Sequence, residues 1–220
     1  MSGSSVPYNL KGEKIMETRI EVPAKYLEVL KLFSARGDMR QYLNAIRVEI
    51  GPEGIFLDAM DGHIYGCFRV ESEESETVPH YETIIPMSLL DRLKFGKGLV
   101  TLTFSGIESV DITYGTLSVH GELMVHVFPS LRNIIPKVVT GKPAQFDFRL
   151  LARLEKARTI LHGKNDGAVV LGYNGEDGPS IVSLGEENFT GLIMPIRGVD
   201  PIKTFPDWFL SYVLGENDAT

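Results

Sequence analysis

Apolar and polar residues along this chain follow two rhythms, and the pair of rhythms recurs. Leu27, Leu30 and Phe33 fall at helical spacing behind Pro23, a residue suited to the first turn of a helix, and predict a helix reaching about Ala35. Thr18–Glu21 precedes it as a short strand. Tyr42–Ile50, Gly54–Met60 and His63–Val70 follow as strands joined by glycine-containing turns. A second round starts with strand Glu82–Ile85. Pro86 then opens a short helix through Leu89, Leu90 and Leu93. Val100, Leu102 and Phe104 alternate with Thr101, Thr103 and Ser105, the period of a half-buried strand, and Val110–Tyr114 and Leu117–Val125 extend the sheet. A third round comprises strand Ala144–Phe148, helix Arg149–His162, and strands Ala168–Tyr173, Ser180–Leu184 and Asn188–Pro195.

The chain is therefore expected to be α+β, built from a repeated unit of strand, helix and strands. Residues 17–127 hold two units and make a complete domain, residues 128–143 with their three prolines make a linker, and residues 144–197 make a partial domain. Residues 1–16 are polar and Gly/Ser-rich and are expected to be a disordered lead-in. Residues 198–220 form a tail. Repeated units normally exist because each needs a neighbour to cover its apolar face. The third unit has no fourth to pair with, which poses a physical problem for the chain.

Composition narrows the function classes. With 220 residues and 43% hydrophobic content the chain can bury a sizeable core. Cys67 is the only cysteine, so a disulfide framework is excluded and a reducing cytoplasm is expected. No apolar run approaches the ~20 residues that span a bilayer, and the N-terminus lacks the apolar stretch of a signal peptide. The net charge of -7 argues against a uniformly basic nucleic-acid coat, although phosphate contact depends on where the cations sit. Enzyme chemistry finds no footing. His63, His80, His120, His126 and His162 lack metal-ligand spacing. Cys67 has no CxxC partner or adjacent base. Asp58 and Asp61 could form an acid–base pair, but Asp61 is better explained as opening an Asp-Gly turn. No cofactor and no metal are expected.

Three segments carry a family resemblance. Asp38-Met39-Arg40-Gln41-Tyr42-Leu43-Asn44, followed by Ala59-Met60-Asp61-Gly62-His63, resembles the D-x-R-x-Y-L-N and A-T-D-G-H of the middle domain of bacterial DNA polymerase III beta sliding clamps. Phe128-Pro129-Ser130-Leu131-Arg132-Asn133-Ile134-Ile135-Pro136 is similar to that family's linker between its second and third domains. Ile193-Met194-Pro195-Ile196-Arg197 resembles the motif closing its last domain. The order and spacing of the three, over about residues 18 to 197, carry the resemblance. It covers the family's middle domain and the second half of its last, about one and a half clamp domains. Ser130 stands where the family has aspartate and Met60 where it has threonine.

The resemblance implies a DNA-clamp fold and a processivity factor that tethers a polymerase or another client to duplex DNA without sequence preference. An alternative is a clamp-derived binding module that does not encircle DNA and acts on a host clamp or on clamp-binding proteins. A closed ring would need several copies of the chain. The implied peptide-binding groove consists of Leu43, Gly62, His63, Ile64, Tyr65, Pro129, Ile134, Leu192, Met194, Pro195, Ile196 and Arg197. By residue type alone Leu43, Ile134 and Met194 are better read as ordinary core, since buried apolar residues are mostly core. Ile64 replaces an arginine common in the family, and Asn133 replaces another, so the rim would be less cationic. The implied DNA-facing cations are Lys25, Lys31 and Arg36 around the first helix, Arg92, Lys94 and Lys97 around the second, and Arg149, Arg153 and Lys156 in the third. Solubility alone would also place lysine and arginine there.

The tail continues past the family's closing motif with Phe205-Pro206-Asp207-Trp208-Phe209-Leu210-Ser211-Tyr212-Val213-Leu214, the densest aromatic cluster in the chain. An apolar tail of this kind needs cover. It would cover the edge of the partial domain, pack on another subunit, or occupy the peptide groove.

Overall fold

In a computed structural model the described residues are 17–71, 80–131, 134–199, 206 and 209–210. The expected disordered lead-in, residues 72–79, Arg132, Asn133 and nearly all of the aromatic tail lie outside them. The strands are β1 (Glu17–Pro23), β2 (Ala45–Gly51), β3 (Gly54–Met60), β4 (Ile64–Val70), β5 (Tyr81–Pro86), β6 (Leu99–Ser105), β7 (Ser109–Tyr114), β8 (Leu117–Glu122), β9 (Val170–Gly172), β10 (Ser180–Ser183) and β11 (Phe189–Ile193). The helices are α1 (Ala24–Phe33), α2 (Met87–Leu90) and α3 (Phe148–His162). None of these helices is long and apolar enough to cross a membrane.

The first two units exchange their opening strands. β1 pairs antiparallel with β6, from Glu17 opposite Ser105 to Pro23 opposite Leu99, while β5 pairs with β2, from Ala45 opposite Pro86 to Ile50 opposite Tyr81. Each opening strand thus completes the other unit's sheet. The joint is also reciprocal where the helices begin. The Ala24 N–H donates to the Gly98 carbonyl and the Met87 N–H to the Asn44 carbonyl, both at 2.9 Å. Pro23 and Pro86 end the strands, and each helix starts at the next residue. The alternation read from β6 is realised, with Val100, Leu102 and Phe104 all at 0% exposure.

The third unit finds its neighbour in the first. β11 pairs antiparallel with β4, Phe189 opposite Phe68 through Ile193 opposite Ile64, and the result is one seven-stranded sheet ordered β5-β2-β3-β4-β11-β10-β9. The other sheet is β1-β6-β7-β8. α3 packs against α1, and Leu154, Ala157 and Leu161 enter the same core as Leu27, Leu30 and Phe33. At the seam Gly66 faces Gly191. A Cβ on Gly66 would lie 2.9 Å from the Phe33 ring, and one on Gly191 would lie 2.7 Å from the Tyr65 carbonyl oxygen, so both strands come as close as they do because neither carries a side chain there. Aromatic rings lock the seam: Phe68 stacks on Tyr26 with centroids 4.1 Å apart and meets Phe189 at 4.9 Å.

Several predicted boundaries move for local reasons. Ala144–Phe148 is not a strand. Only Gln145 forms a bridge, to Ile196, and Phe148 already begins α3, capped by Asp147, whose carboxylate accepts the Arg149 N–H at 2.8 Å. The opening strands of the first two units are held by each other's sheets, and nothing described plays that part for the third. Tyr42 and Leu43 belong to a 3-10 turn over Gln41–Leu43, and the strand starts only at Ala45. Asn44 clamps it by accepting from the Asp38 N–H at 3.0 Å and donating to the Asp38 carbonyl at 2.7 Å. The first helix ends at Phe33 because Ser34 is extended, and the strand from Leu117 stops at Glu122.

The shared core makes a prediction about folding. Phe189→Ala should cost ~3–5 kcal/mol, the range for truncating a buried aromatic. Denaturant unfolding followed by far- and near-ultraviolet circular dichroism should remain one coincident transition. Two resolved transitions would show that the first and third units do not share a core.

Candidate functional site

The β3–β4 turn is built by Asp61 and Gly62. One Asp61 carboxylate oxygen accepts the N–H groups of His63 at 2.8 Å and Ile64 at 2.9 Å, and Gly62 takes φ 94°, a conformation that disfavours any side chain. The Asp-Gly turn expected from the sequence is therefore present, and Asp61 is occupied as its organiser. The turn sets Met60, Ile64 and Tyr65 beside the seam. Across the seam Leu192 lies opposite Tyr65, and the Met194 N–H donates to the His63 carbonyl at 2.8 Å.

The segment after β8 closes the site from outside. Phe128 is buried against Leu43, Met60 and Ile84 on the second face of the sheet, and its ring meets Tyr42 edge-on at 6.5 Å. Leu131 and Ile134 follow, the Ile134 N–H donating to the Leu131 carbonyl at 2.8 Å. These pieces enclose an apolar cavity of about 150 Å³ lined by Met60, Gly62, His63, Ile64, Tyr65, Leu131, Ile134, Leu192 and Met194. Adjoining it through His63 and Met194 is a trough of about 510 Å³ with Asp61, Asp147, Arg149, Arg153, Pro195 and Ile196 on its walls. An apolar slot opening into a charged trough suits a short chain with hydrophobic anchors and polar flanks.

Near the slot lies a buried ion pair. Arg47 and Asp58 are opposite each other on β2 and β3, and the guanidinium forks onto the carboxylate, with Nε at 3.1 and 3.0 Å and Nη2 at 2.5 Å. Phe128 covers the pair, its ring centroid 5.1 Å from the guanidinium. Burial lifts the Asp58 carboxyl to about 6, against the pull of Arg47's hydrogen bonds and charge. Burial also disfavours the charge on Arg47, but the bonds and charge of Asp58 outweigh it and hold the guanidinium protonated. Burial raises the Tyr65 hydroxyl, and pushes the Cys67 thiol up to about 12, so Cys67 is a protonated packing residue rather than a nucleophile.

No protein-family model and no curated protein matches this sequence. The solved structures do. The Helicobacter pylori beta clamp bound to a DNA ligase peptide aligns with TM-score 0.60 at 12% identity, over 84% of this chain and 66% of that one. A putative DNA polymerase III beta subunit from Eubacterium rectale aligns with TM-score 0.58 at 12% identity, over 89% and 68%. The Pseudomonas aeruginosa sliding clamp with ligand aligns with TM-score 0.57 at 15% identity, over 81% and 66%. This chain has the DNA sliding-clamp fold. It spans just under two thirds of the Pseudomonas and Helicobacter chains, and at such identities the likeness is one of fold.

Against the clamp fold, the sequence-predicted groove residues divide. Gly62, His63, Ile64, Tyr65, Ile134, Leu192 and Met194 converge on the slot, while Pro195 and Ile196 wall the trough. Leu43 is 1% exposed and belongs to the core behind Phe128. Pro129 and Arg197 line neither cavity. Met60 and Leu131 line the slot and were not picked out from the sequence, although both sit inside the motifs that carry the resemblance.

The cations divide as well. Lys31 is nearly enclosed, donating to the Leu93 carbonyl at 2.9 Å and lying 4.5 Å from the Phe95 ring centroid. Arg153 joins α3 to Asp61 and to the carbonyls of Leu32 and Ser34. Lys25 pairs with Glu186 at 2.6 Å, Arg36 with Asp91, and Arg149 with Asp147 at 2.6 Å. Arg92, Lys94, Lys97 and Lys156 are exposed, and no ion pair holds them among the described residues.

The raised Asp58 carboxyl gives a pH prediction with a defined sign. The folded group titrates near 6 and the unfolded one near its usual ~4, so the fold holds a proton between them that the unfolded chain releases. Its contribution to stability is full below ~4 and is lost as pH rises through about 6. Urea midpoints measured for the native chain and Asp58→Asn should therefore diverge over this window in that direction. Parallel curves would contradict the assignment.

Proposed function

We propose that this chain is a non-enzymatic, cytoplasmic, clamp-type tether. The apolar slot receives a short peptide from a client protein such as a DNA polymerase, and the exposed cations beside α2 and on α3 make sequence-independent contacts to duplex DNA. The observation that carries the reading is the slot itself. It lies where the β3–β4 turn, the segment after β8 and β11 meet, and the fold's solved relatives include a clamp recorded with a DNA ligase peptide. Its lining offers hydrophobic contact over nearly its whole surface, with Met60 and Met194 as adaptable walls. Arg92, Lys94, Lys97 and Lys156 suit phosphate contact better than Lys31 or Arg153, which are committed to the fold. Encircling a duplex would take more than one copy of the chain.

Fluorescence anisotropy with a labelled clamp-binding peptide of the DNA ligase kind tests the groove. Binding should saturate, and Met194→Asp or Ile134→Asp should weaken it at least tenfold, equivalent to ~1.4 kcal/mol. An unmodified chain that does not bind would overturn this part of the reading. For DNA, the triple charge reversal Arg92→Glu, Lys94→Glu and Lys97→Glu should reduce both retention on nicked circular duplex and its salt sensitivity. Equal retention of the native chain and the triple variant would show that these cations do not carry DNA contact.

A further inference from the structure

We propose that the slot has an occupant within the chain itself. The aromatic segment at residues 205–214 seats apolar side chains there and competes with a client peptide. The competition rests on the client reading of the slot given above, whereas the contact does not. Three observations carry the choice of occupant: where the chain leaves the site, what the segment is made of, and the charge on the walls around the slot.

The chain leaves the site beside the slot. Met194 lines the slot, Pro195 and Ile196 wall the trough, and the Ile196 N–H donates to the Gln145 carbonyl at 2.8 Å. Gly198 then takes φ 71°, a left-handed conformation suited to turning the chain. Val199 is five residues past Met194, hence at most about 18 Å from it, and the seven further residues to Pro206 reach about 25 Å. A return to the slot is therefore within the length available. A short tether holds a segment at an effective concentration of about 1 mM, so a contact with a Kd of only about 0.3 mM raises a client's apparent Kd about fourfold. The contact can be weak and still regulate, and a client displaces it.

The segment and the walls are complementary. The Phe209 and Leu210 N–H groups both donate to the Pro206 carbonyl, at 2.9 and 3.1 Å, and the turn leaves these two adjacent apolar residues half-buried. Trp208 and Tyr212 are spaced to extend one apolar face. Carboxylates flank this apolar stretch: Asp200, Asp207, Glu216 and Asp218 stand against Lys203. The slot matches the apolar part. The trough, with a hollow of about 710 Å³ that joins it through His63 and Arg153, matches the acidic part, since its walls carry Arg36, Arg40, Arg149 and Arg153 against three aspartates. Arg149 and Arg40 are exposed in local pairs with Asp147 and Asp38, and such surface pairs are worth little and exchange readily for another carboxylate. A further apolar groove of about 590 Å³, beside Ile107, Val125 and Val127, carries Glu82 and no arginine or lysine among its described lining residues. That groove would accept the apolar side chains but repel the carboxylates, which favours the slot.

Photo-cross-linking from p-benzoylphenylalanine placed at position 209 of the full chain tests the contact without any client. The product should be a single chain joined to residues 60–65, 131–134 or 192–194, at a yield independent of protein concentration. Trp208, the only tryptophan, gives a second readout. Its emission should move to longer wavelength in Met194→Asp and in Ile134→Asp, the latter at a position 40% exposed and so tolerant of charge, and should stay in place in Val127→Asp. In the anisotropy assay Phe209→Asp should tighten binding of the ligase-type peptide at least threefold. Three results would each overturn the proposal: a cross-link to another copy or to residues 107, 125–127 or 168–173, tryptophan emission indifferent to both slot variants, or peptide binding left unchanged or weakened by Phe209→Asp. A peptide that binds neither form, beside a cross-link into the slot, upholds the tail contact and overturns the client reading alone.

Discussion

The pairing of β4 with β11 is the constraint on which the rest of this molecule depends. Without it the third unit would be a helix and three short strands with an apolar face and no partner. With it, three units become one body: a seven-stranded sheet, two helices packed side by side, and a core in which Phe189 meets both Phe68 and, 156 positions earlier in the sequence, Phe33. The approach is close because Gly66 and Gly191 face each other, and it is specific because a side chain on either would strike an aromatic ring or a carbonyl. The apolar slot is a by-product of the same pairing. Tyr65 and Leu192 are seam partners, and Met194 reaches its place through the hydrogen bond to His63. Structure and candidate function therefore rest on a single strand pairing.

Local pattern made much of the fold legible. Alternation in β6, prolines ahead of two helices and the Asp-Gly turn each act over a few residues, and each is present as read. What the sequence withheld is non-local. Nothing in Phe189–Ile193 names β4 as its partner, although isolated glycines within two strand patterns signal a close approach. Ala144–Phe148 has the composition of a strand, but a strand exists only where another sheet edge accepts it. The groove was legible to the extent that its lining lies in contiguous motifs. Leu43 shares a motif with the lining yet faces the core, because the 3-10 turn at Gln41–Leu43 sends its side chain behind Phe128.

The charges show the same division. A count of lysines and arginines on helices cannot reveal that Arg36 is paired with Asp91 55 positions away, or Arg153 with Asp61 92 positions away. Such pairs hold elements together, and of the helix cations singled out from the sequence they leave Arg92, Lys94, Lys97 and Lys156 exposed without an ion pair among the described residues. The Arg47–Asp58 fork follows the same logic in a drier place, where the fully buried Asp58 depends on Arg47, which Glu49 also holds at 3.1 Å.

On the proposed function, the seam between the first and third units forms the slot that receives the client peptide. Hydrogen–deuterium exchange with and without a clamp-binding peptide tests it most directly. The account predicts joint protection of residues 60–65 and 191–194 on binding, two stretches distant in sequence that meet only at the seam. Binding that protects neither stretch, or one without the other, would contradict it.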